Sequence, residues 1–162
     1  MNQTHIHLLI THLPIIGAML GALVLIHGIW RKSNSTLIAA YNILILSAIG
    51  AGIAYITGEG AEEAVEHLQG VSKSVIEEHA ESALVSIIGL AVVGAIALIG
   101  VLVTQANSSL TRRVALWTLA ASVVGFALVA RTGYLGGKIR HADEIGNNKV
   151  STAKEGNGKE KD

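Results

Sequence analysis

Four long stretches of apolar residues alternate with polar segments along this chain. Each is long enough to cross about 30 Å of hydrocarbon at about 1.5 Å per helical residue. The connections are short at residues 31–36 and 105–113, so neighbouring helices should run antiparallel. The sequence therefore predicts an all-α integral membrane protein, an up-and-down four-helix bundle with both termini on the same, outer side. The predicted helices cover about residues 6–30, 37–57, 78–105 and 112–137.

The remaining segments are polar and differ in pattern. The segment between the second and third apolar stretches, residues 58–82, is longer and acidic. It contains small and apolar residues at helical spacing. This pattern predicts a short amphipathic helix at about residues 61–69, lying on the membrane surface. Residues 146–162 have no apolar periodicity and are predicted to be disordered. The chain is thus interpreted as one transmembrane domain, residues 1–145, followed by a polar tail.

Composition supports a membrane protein and excludes several chemistries. Apolar residues make up 51% of the chain and charged residues only 15%. There is no cysteine, which excludes disulfides, iron–sulfur clusters, thiolate metal sites and covalently attached haem. There is no basic footprint for nucleic acid. The first four residues contain no Lys or Arg, so the first apolar stretch is interpreted as a retained helix and not as a signal peptide.

The two ends of the predicted bundle carry opposite charge. The charged residues in the loops at one end are all basic, namely Arg31, Lys32, Arg112 and Arg113. The other end carries seven glutamates against Lys73: Glu59, Glu62, Glu63, Glu66, Glu77, Glu78 and Glu81. Basic loops remain in the cytoplasm of bacterial cells. We therefore expect a multi-pass protein of the bacterial inner membrane with both termini outside.

Six of the seven histidines fall at the predicted outer end: His5, His7, His12, His67, His79 and His141. Antiparallel threading brings four helix ends to that face. Some of these side chains would simply form hydrogen bonds near the headgroups, but an ionisable residue inside a helical bundle is a functional candidate. His12 is predicted to be the deepest. Pro14 leaves open whether the first helix begins near residue 5 or near Pro14.

Two neutral imidazoles facing each other across a bundle are what a six-coordinate haem iron needs. We expect His12 and His79 to be the axial ligands of haem b, with His7 or His141 as substitutes. Arg131 could neutralise a haem propionate or pair with a glutamate. The expected function is electron transfer at the outer membrane face, within a larger redox assembly. Besides the lipid bilayer, the candidate partners are other membrane redox subunits or a second copy of the chain.

Three other classes of function stay open. One is a site for a Zn, Cu or Fe ion, using His5, His67, Glu78 and Glu81 as alternative ligands. Another is a site that handles quinone or protons with the same groups. The last is a structural accessory subunit without a cofactor, in which acids at a helix start only complement the helix dipole. An enzyme is the least favoured class, because no nucleophile constellation and no phosphate-binding loop are evident.

Two segments carry a resemblance to a known family. The segment His7-Leu-Leu-Ile-Thr-His12-Leu-Pro14-Ile resembles the opening motif of the DUF2231 family of bacterial four-helix integral membrane proteins, which reads roughly His-x-x-x-x-His-aromatic-Pro-Ile. Residues 133–141 are similar to the family's closing motif, a Gly-aromatic-Leu-Gly-Gly run that ends in a basic residue and His141. Leu13 and Lys138 depart from the pattern, where the family has an aromatic residue and an acid.

This resemblance covers residues about 5 to 145. His79 falls where the family usually has a histidine that opens the third helix. The resemblance therefore implies the four-helix fold and its topology. It also supports four histidines as candidate site residues: His7, His12, His79 and His141. It implies no particular activity, because the family carries no secure biochemical assignment.

Overall fold

The computed structural model describes residues 3–66 and 73–140, which form five helices. The helices are α1 (Gln3–Ile10), α2 (His12–Arg31), α3 (Asn34–Glu66), α4 (Lys73–Gln105) and α5 (Thr111–Arg140). Within this part of the chain, four spans are long and apolar enough to cross a membrane: His5–Arg31, Asn34–Gly58, Lys73–Gln105 and Thr111–Ile139. The predicted all-α membrane fold with four spanning helices is confirmed.

α1 and α2 form one nearly continuous rod with a single interruption at Thr11. Thr11 keeps right-handed helical angles, φ −61° and ψ −23°, and its backbone N–H donates to the carbonyl of His7 at 3.0 Å. Pro14 is the third residue of α2, and an N–H at this position would have no acceptor within α2 itself, so proline is tolerated there. The first helical segment therefore begins at Gln3 and not near Pro14.

The end of α3 differs from the prediction. A separate amphipathic helix was expected at residues 61–69, but α3 continues without a break through Glu66. Gly58 and Gly60 weaken a helix by about 1 kcal/mol each. However, residues 58–66 contain no proline, so the chain of backbone hydrogen bonds is not interrupted. Residues 67–69 and the predicted disordered tail, residues 146–162, lie outside the described residues.

The spanning helices form a closed antiparallel ring. α2 packs against α3 and α5, α4 packs against the same two helices, and α1 lies on α3. Glycines allow close approach: a Cβ atom built on Gly21 would lie 2.6 Å from Leu44 Cδ2, and one on Gly28 would lie 2.9 Å from Leu37 Cδ2. Small residues at such contacts are how helices associate in lipid, where the hydrophobic effect gives no drive for packing.

Apolar side chains fill the inside of this ring and also cover its outside. The main core cluster consists of Leu25, Leu37, Ala40, Tyr41, Leu44, Val93, Ala97 and Ala115. Large apolar side chains such as Leu23, Ile56 and Leu102 are more than half exposed. This outer apolar surface is what spanning helices present to a lipid bilayer.

The two ends of the bundle carry opposite charge. The basic end contains the turns between α2 and α3 and between α4 and α5, with Arg31, Lys32, Arg112 and Arg113. The acidic end contains α1, the end of α3, the start of α4 and the end of α5, with the glutamates of α3 and α4. The histidines that could form a site lie at the acidic end.

Candidate functional site

His7 lies on α1 with its half-buried ring turned toward α3. Its Nδ1 atom is 2.9 Å from the carbonyl oxygen of Ala54 and 3.4 Å from Thr57 Oγ1. A carbonyl can only accept a hydrogen bond, so Nδ1 carries the hydrogen in this contact. In the neutral imidazole, Nε2 then holds a free lone pair. The ring lies directly beside Gly58, where a Cβ atom would be 3.5 Å from His7 Cε1, an ordinary van der Waals contact.

His79 repeats this arrangement on the other side of the bundle. It lies near the start of α4, is half-buried, and its Nδ1 atom donates to the carbonyl oxygen of Thr132 on α5 at 3.1 Å. A Cβ atom on Gly136 would lie 3.2 Å from His79 Cε1, which is tighter than an ordinary contact, so this glycine leaves space for the imidazole. The Nε2 atom of His79 is again the free one.

A group of hydroxyl side chains lies next to His79, between α4 and α5. Thr132 Oγ1 is 2.8 Å from Ser82 Oγ and 2.8 Å from Ser86 Oγ, and both serines are buried. We call these three residues the hydroxyl cluster. Because the cluster ties α5 to α4 at Thr132, it also fixes the carbonyl that accepts the hydrogen bond from His79.

His7 and His79 both lie at the acidic end of the bundle, each on the first turns of a spanning segment. One belongs to the α1–α3 contact and the other to the α4–α5 contact. Each ring is held by a backbone carbonyl of a neighbouring helix. We call this arrangement the paired-histidine site.

The structure places the predicted ligand His12 elsewhere. Its ring is exposed, and its Nδ1 atom donates to the carbonyl of Leu8 in the preceding turn of the same rod, at 2.9 Å. His12 follows His7 by five residues, which rotates it by about 140° around a helix with 3.6 residues per turn. His7 therefore faces α3, whereas His12 does not. His5 is also exposed.

The other predicted site residues lie on the surface or outside the described residues. Arg131 Nη2 donates to Glu78 Oε1 at 3.1 Å, and both side chains are about half exposed. Of the two roles expected for Arg131, the structure contains the pairing with a glutamate. Glu81 is exposed. In residues 3–66 and 73–140, no three His, Asp or Glu side chains converge closely enough to hold a metal ion. The positions His67 and His141 lie outside these ranges.

Sequence reasoning missed the hydroxyl cluster, although part of its signal was present. His79, Ser82 and Ser86 recur at i, i+3 and i+7, which places them on one face of a helix. Three polar residues on one face of an otherwise apolar span indicate a contact with another helix and not with lipid. Thr132 had no such signal, because the partner helix of a polar face is set by the packing of the whole bundle.

The fold and the site together define a multi-pass, four-helix membrane protein with paired imidazoles at one end of the bundle. The sequence profile of one family matches residues 3–149, and its description reads predicted membrane protein. The chain belongs to this family, DUF2231, which confirms the resemblance. No curated protein and no solved structure matches the chain.

Proposed function

We propose that this protein is a membrane-bound b-type haem protein in which His7 and His79 supply the two axial ligands. The observation that carries the proposal is the shared hydrogen-bonding of the two rings. Each donates its Nδ1–H to a backbone carbonyl of another helix, Ala54 for His7 and Thr132 for His79. Metal-ligating histidines are usually held in this way, because the bond fixes the tautomer and leaves Nε2 for the metal.

The number of paired imidazoles favours haem over a bare ion. The porphyrin supplies four nitrogens, and the protein then needs to supply two axial ligands. A zinc site usually needs three or four protein ligands. The described residues hold two imidazoles in this way at the acidic end. Gly136 contributes space, since a Cβ atom there would lie only 3.2 Å from Cε1 of His79.

The haem would supply reversible one-electron chemistry, and the protein residues would tune it. Imidazole on both sides of the iron gives a six-coordinate, low-spin state suited to electron transfer. The carbonyls of Ala54 and Thr132 would raise the basicity of the two ligands by accepting their Nδ1–H groups. Electrons would pass at the acidic end, to other membrane redox subunits or to a second copy of the chain.

The same proposal includes an orientation in the membrane. The basic end carries Arg31, Lys32, Arg112 and Arg113 without any acid in their loops. This charge bias supports a cytoplasmic location for that end in a bacterial cell. The paired-histidine site would then face the outside. A phosphatase reporter that works only outside the cytoplasm should be active at the C-terminus and inactive when fused after Asn107. The reverse pattern would overturn the orientation.

The cofactor is tested by the visible spectrum of detergent-purified protein, oxidised and then reduced. We expect a Soret band and sharp α and β bands on reduction. His79→Ala should lose the haem or turn it high-spin. His27→Ala is the control, because His27 lies near the basic end beside Trp30, with ring centroids 5.9 Å apart. A colourless protein with stoichiometric Zn, Cu or Fe would establish the small-metal alternative. A protein with neither pigment nor metal would refute both and leave a quinone, proton-handling or structural role.

A further inference from the structure

A groove opens between α2 and α5 at the basic end, far from the paired-histidine site. Its volume is about 350 Å³. Most of its wall is apolar, and two cationic side chains lie among the lining residues, which are Ile26, Ile29, Trp30, Lys32, Arg112, Leu116 and Leu119. No acidic residue contributes to the lining. The groove thus combines a mostly apolar wall with two cationic residues.

The two cationic residues belong to the two helices that border this groove. Lys32 ends α2 in a left-handed conformation, φ 52°, and its backbone N–H caps the carbonyls of Gly28 and Ile29. Arg112 is the second residue of α5. Within the described part of the chain, neither side chain has a carboxylate partner. Their charge is therefore available to an external anion.

The position of Arg112 also favours the binding of an anion. The first turn of α5 contains no acidic residue, although a helix N-terminus carries partial positive charge. Arg112 adds a full positive charge at the same place. An anion bound there would interact favourably with Arg112, with the start of α5 and with Lys32 across the groove.

We infer that this groove binds an anionic phospholipid from the surrounding bilayer. The phosphate would lie between Lys32 and Arg112, and an acyl chain would follow the apolar wall toward the middle of the membrane. Ile26 and Leu116, which form that wall, are each about half exposed. Basic pockets between spanning helices are typical sites for acidic lipid headgroups. Trp30 is 74% exposed and suits the headgroup level, where Trp is enriched.

Charge and shape together select the lipid over other ligands. A choline headgroup would bring a third cation beside Lys32 and Arg112, so zwitterionic lipids are disfavoured. Free phosphate would use only the two cations and would leave the apolar wall to be covered by something else. A phospholipid with net negative charge satisfies both parts of the groove. This inference does not depend on the proposed haem.

The experiment is native mass spectrometry of the full chain released from nanodiscs that contain equal phosphatidylglycerol and phosphatidylcholine. The wild type should retain phosphatidylglycerol. Each cation near the membrane surface contributes about fivefold in binding, so Lys32→Gln with Arg112→Gln should reduce retention about 30-fold. The matched control is Arg31→Gln with Arg113→Gln, which removes the same charge from the same loops but leaves the groove lining intact. The control should retain the lipid within about threefold of wild type.

A second pair of variants tests the apolar part without changing charge. Ile26→Trp should fill the groove and reduce phosphatidylglycerol retention at least fivefold, whereas Leu23→Trp, one turn away and outside the lining, should not. Equal losses in the two double variants, or equal retention of both lipids by the wild type, would overturn the inference. The inference would also be overturned if millimolar inorganic phosphate displaced the lipid and Ile26→Trp had no effect. Those two results together would assign the cations to free phosphate.

Discussion

Gly100→Ala tests the packing of the bundle at its tightest aromatic contact. A Cβ atom on Gly100 would lie 2.6 Å from Tyr41 Cζ, 2.7 Å from Cε1 and 2.9 Å from Cε2. These distances are far inside van der Waals contact. The tyrosine ring is rigid, and the residue is fully buried in the core cluster with Leu25 and Leu44, so it has little room to move. The added methyl group must therefore shift a helix or the ring.

The magnitude follows from a comparison with a second glycine. Forcing an extra methyl group into a packed core costs about 1–3 kcal/mol. Alanine is also a better helix former than glycine, by about 1 kcal/mol, which offsets part of this cost. Gly52→Ala provides the same gain without the clash, because nothing lies within 4 Å of its Cβ position. Gly100→Ala should therefore be less stable than Gly52→Ala by about 1–3 kcal/mol.

Thermal unfolding in detergent measures this difference. For a chain of about this length, 1 kcal/mol shifts Tm by about 2–4 °C, so Gly100→Ala should melt about 2–12 °C below Gly52→Ala. Tyr41→Leu removes the ring that meets the new methyl group. Gly100→Ala should therefore lower the stability less in the Tyr41→Leu variant than in the wild type. A Gly100→Ala variant that melts at or above Gly52→Ala would refute the described packing of α3 against α4.

Two further predictions concern polar contacts at the acidic end. Thr132→Val removes the hydroxyl that joins Ser82 and Ser86, and hydrogen bonds inside membranes contribute about 0.6 kcal/mol on average and about 1.7 at most. We expect thermal unfolding to show a loss of about 1–3 kcal/mol, and wild-type stability would contradict the hydroxyl cluster. Arg131→Gln breaks the ion pair with Glu78, in which both side chains are about half exposed. The loss of stability should therefore be less than about 1 kcal/mol, and it should disappear at high salt, which screens exposed charges. A loss that high salt leaves unchanged would show that Arg131 has a buried role.

The fold could be predicted from the sequence because membrane helices are specified by length and hydropathy. Every backbone polar group must be satisfied inside the bilayer, so a long apolar run has only the helix available. The end of α3 was harder to predict, because Gly58 and Gly60 are typical of the end of a helix. Whether a helix continues through two glycines depends on what it packs against, and that information is not local.

The choice of histidine depends on how the first helix is rotated about its axis. His12 was preferred for its depth, but the structure turns His7 toward α3. Spacing contained the relevant signal, since His7, Pro14, Gly21 and Gly28 follow each other at intervals of seven residues and therefore share one face. Pro14, Gly21 and Gly28 are buried. Small residues mark the side where helices approach closely, and a histidine on that side faces a neighbouring helix.

The central claim is that His7, and not His12, is the partner of His79. The most direct test is the reduced-minus-oxidised visible spectrum of His7→Ala beside that of His12→Ala, at equal protein concentration in the same detergent. The two histidines lie on the same rod at the same end of the bundle, so the pair differs in which way the ring faces. His7→Ala should lose the sharp α and β bands of six-coordinate haem, whereas His12→Ala should keep them. Loss of the bands in His12→Ala with a normal spectrum in His7→Ala would contradict the paired-histidine site.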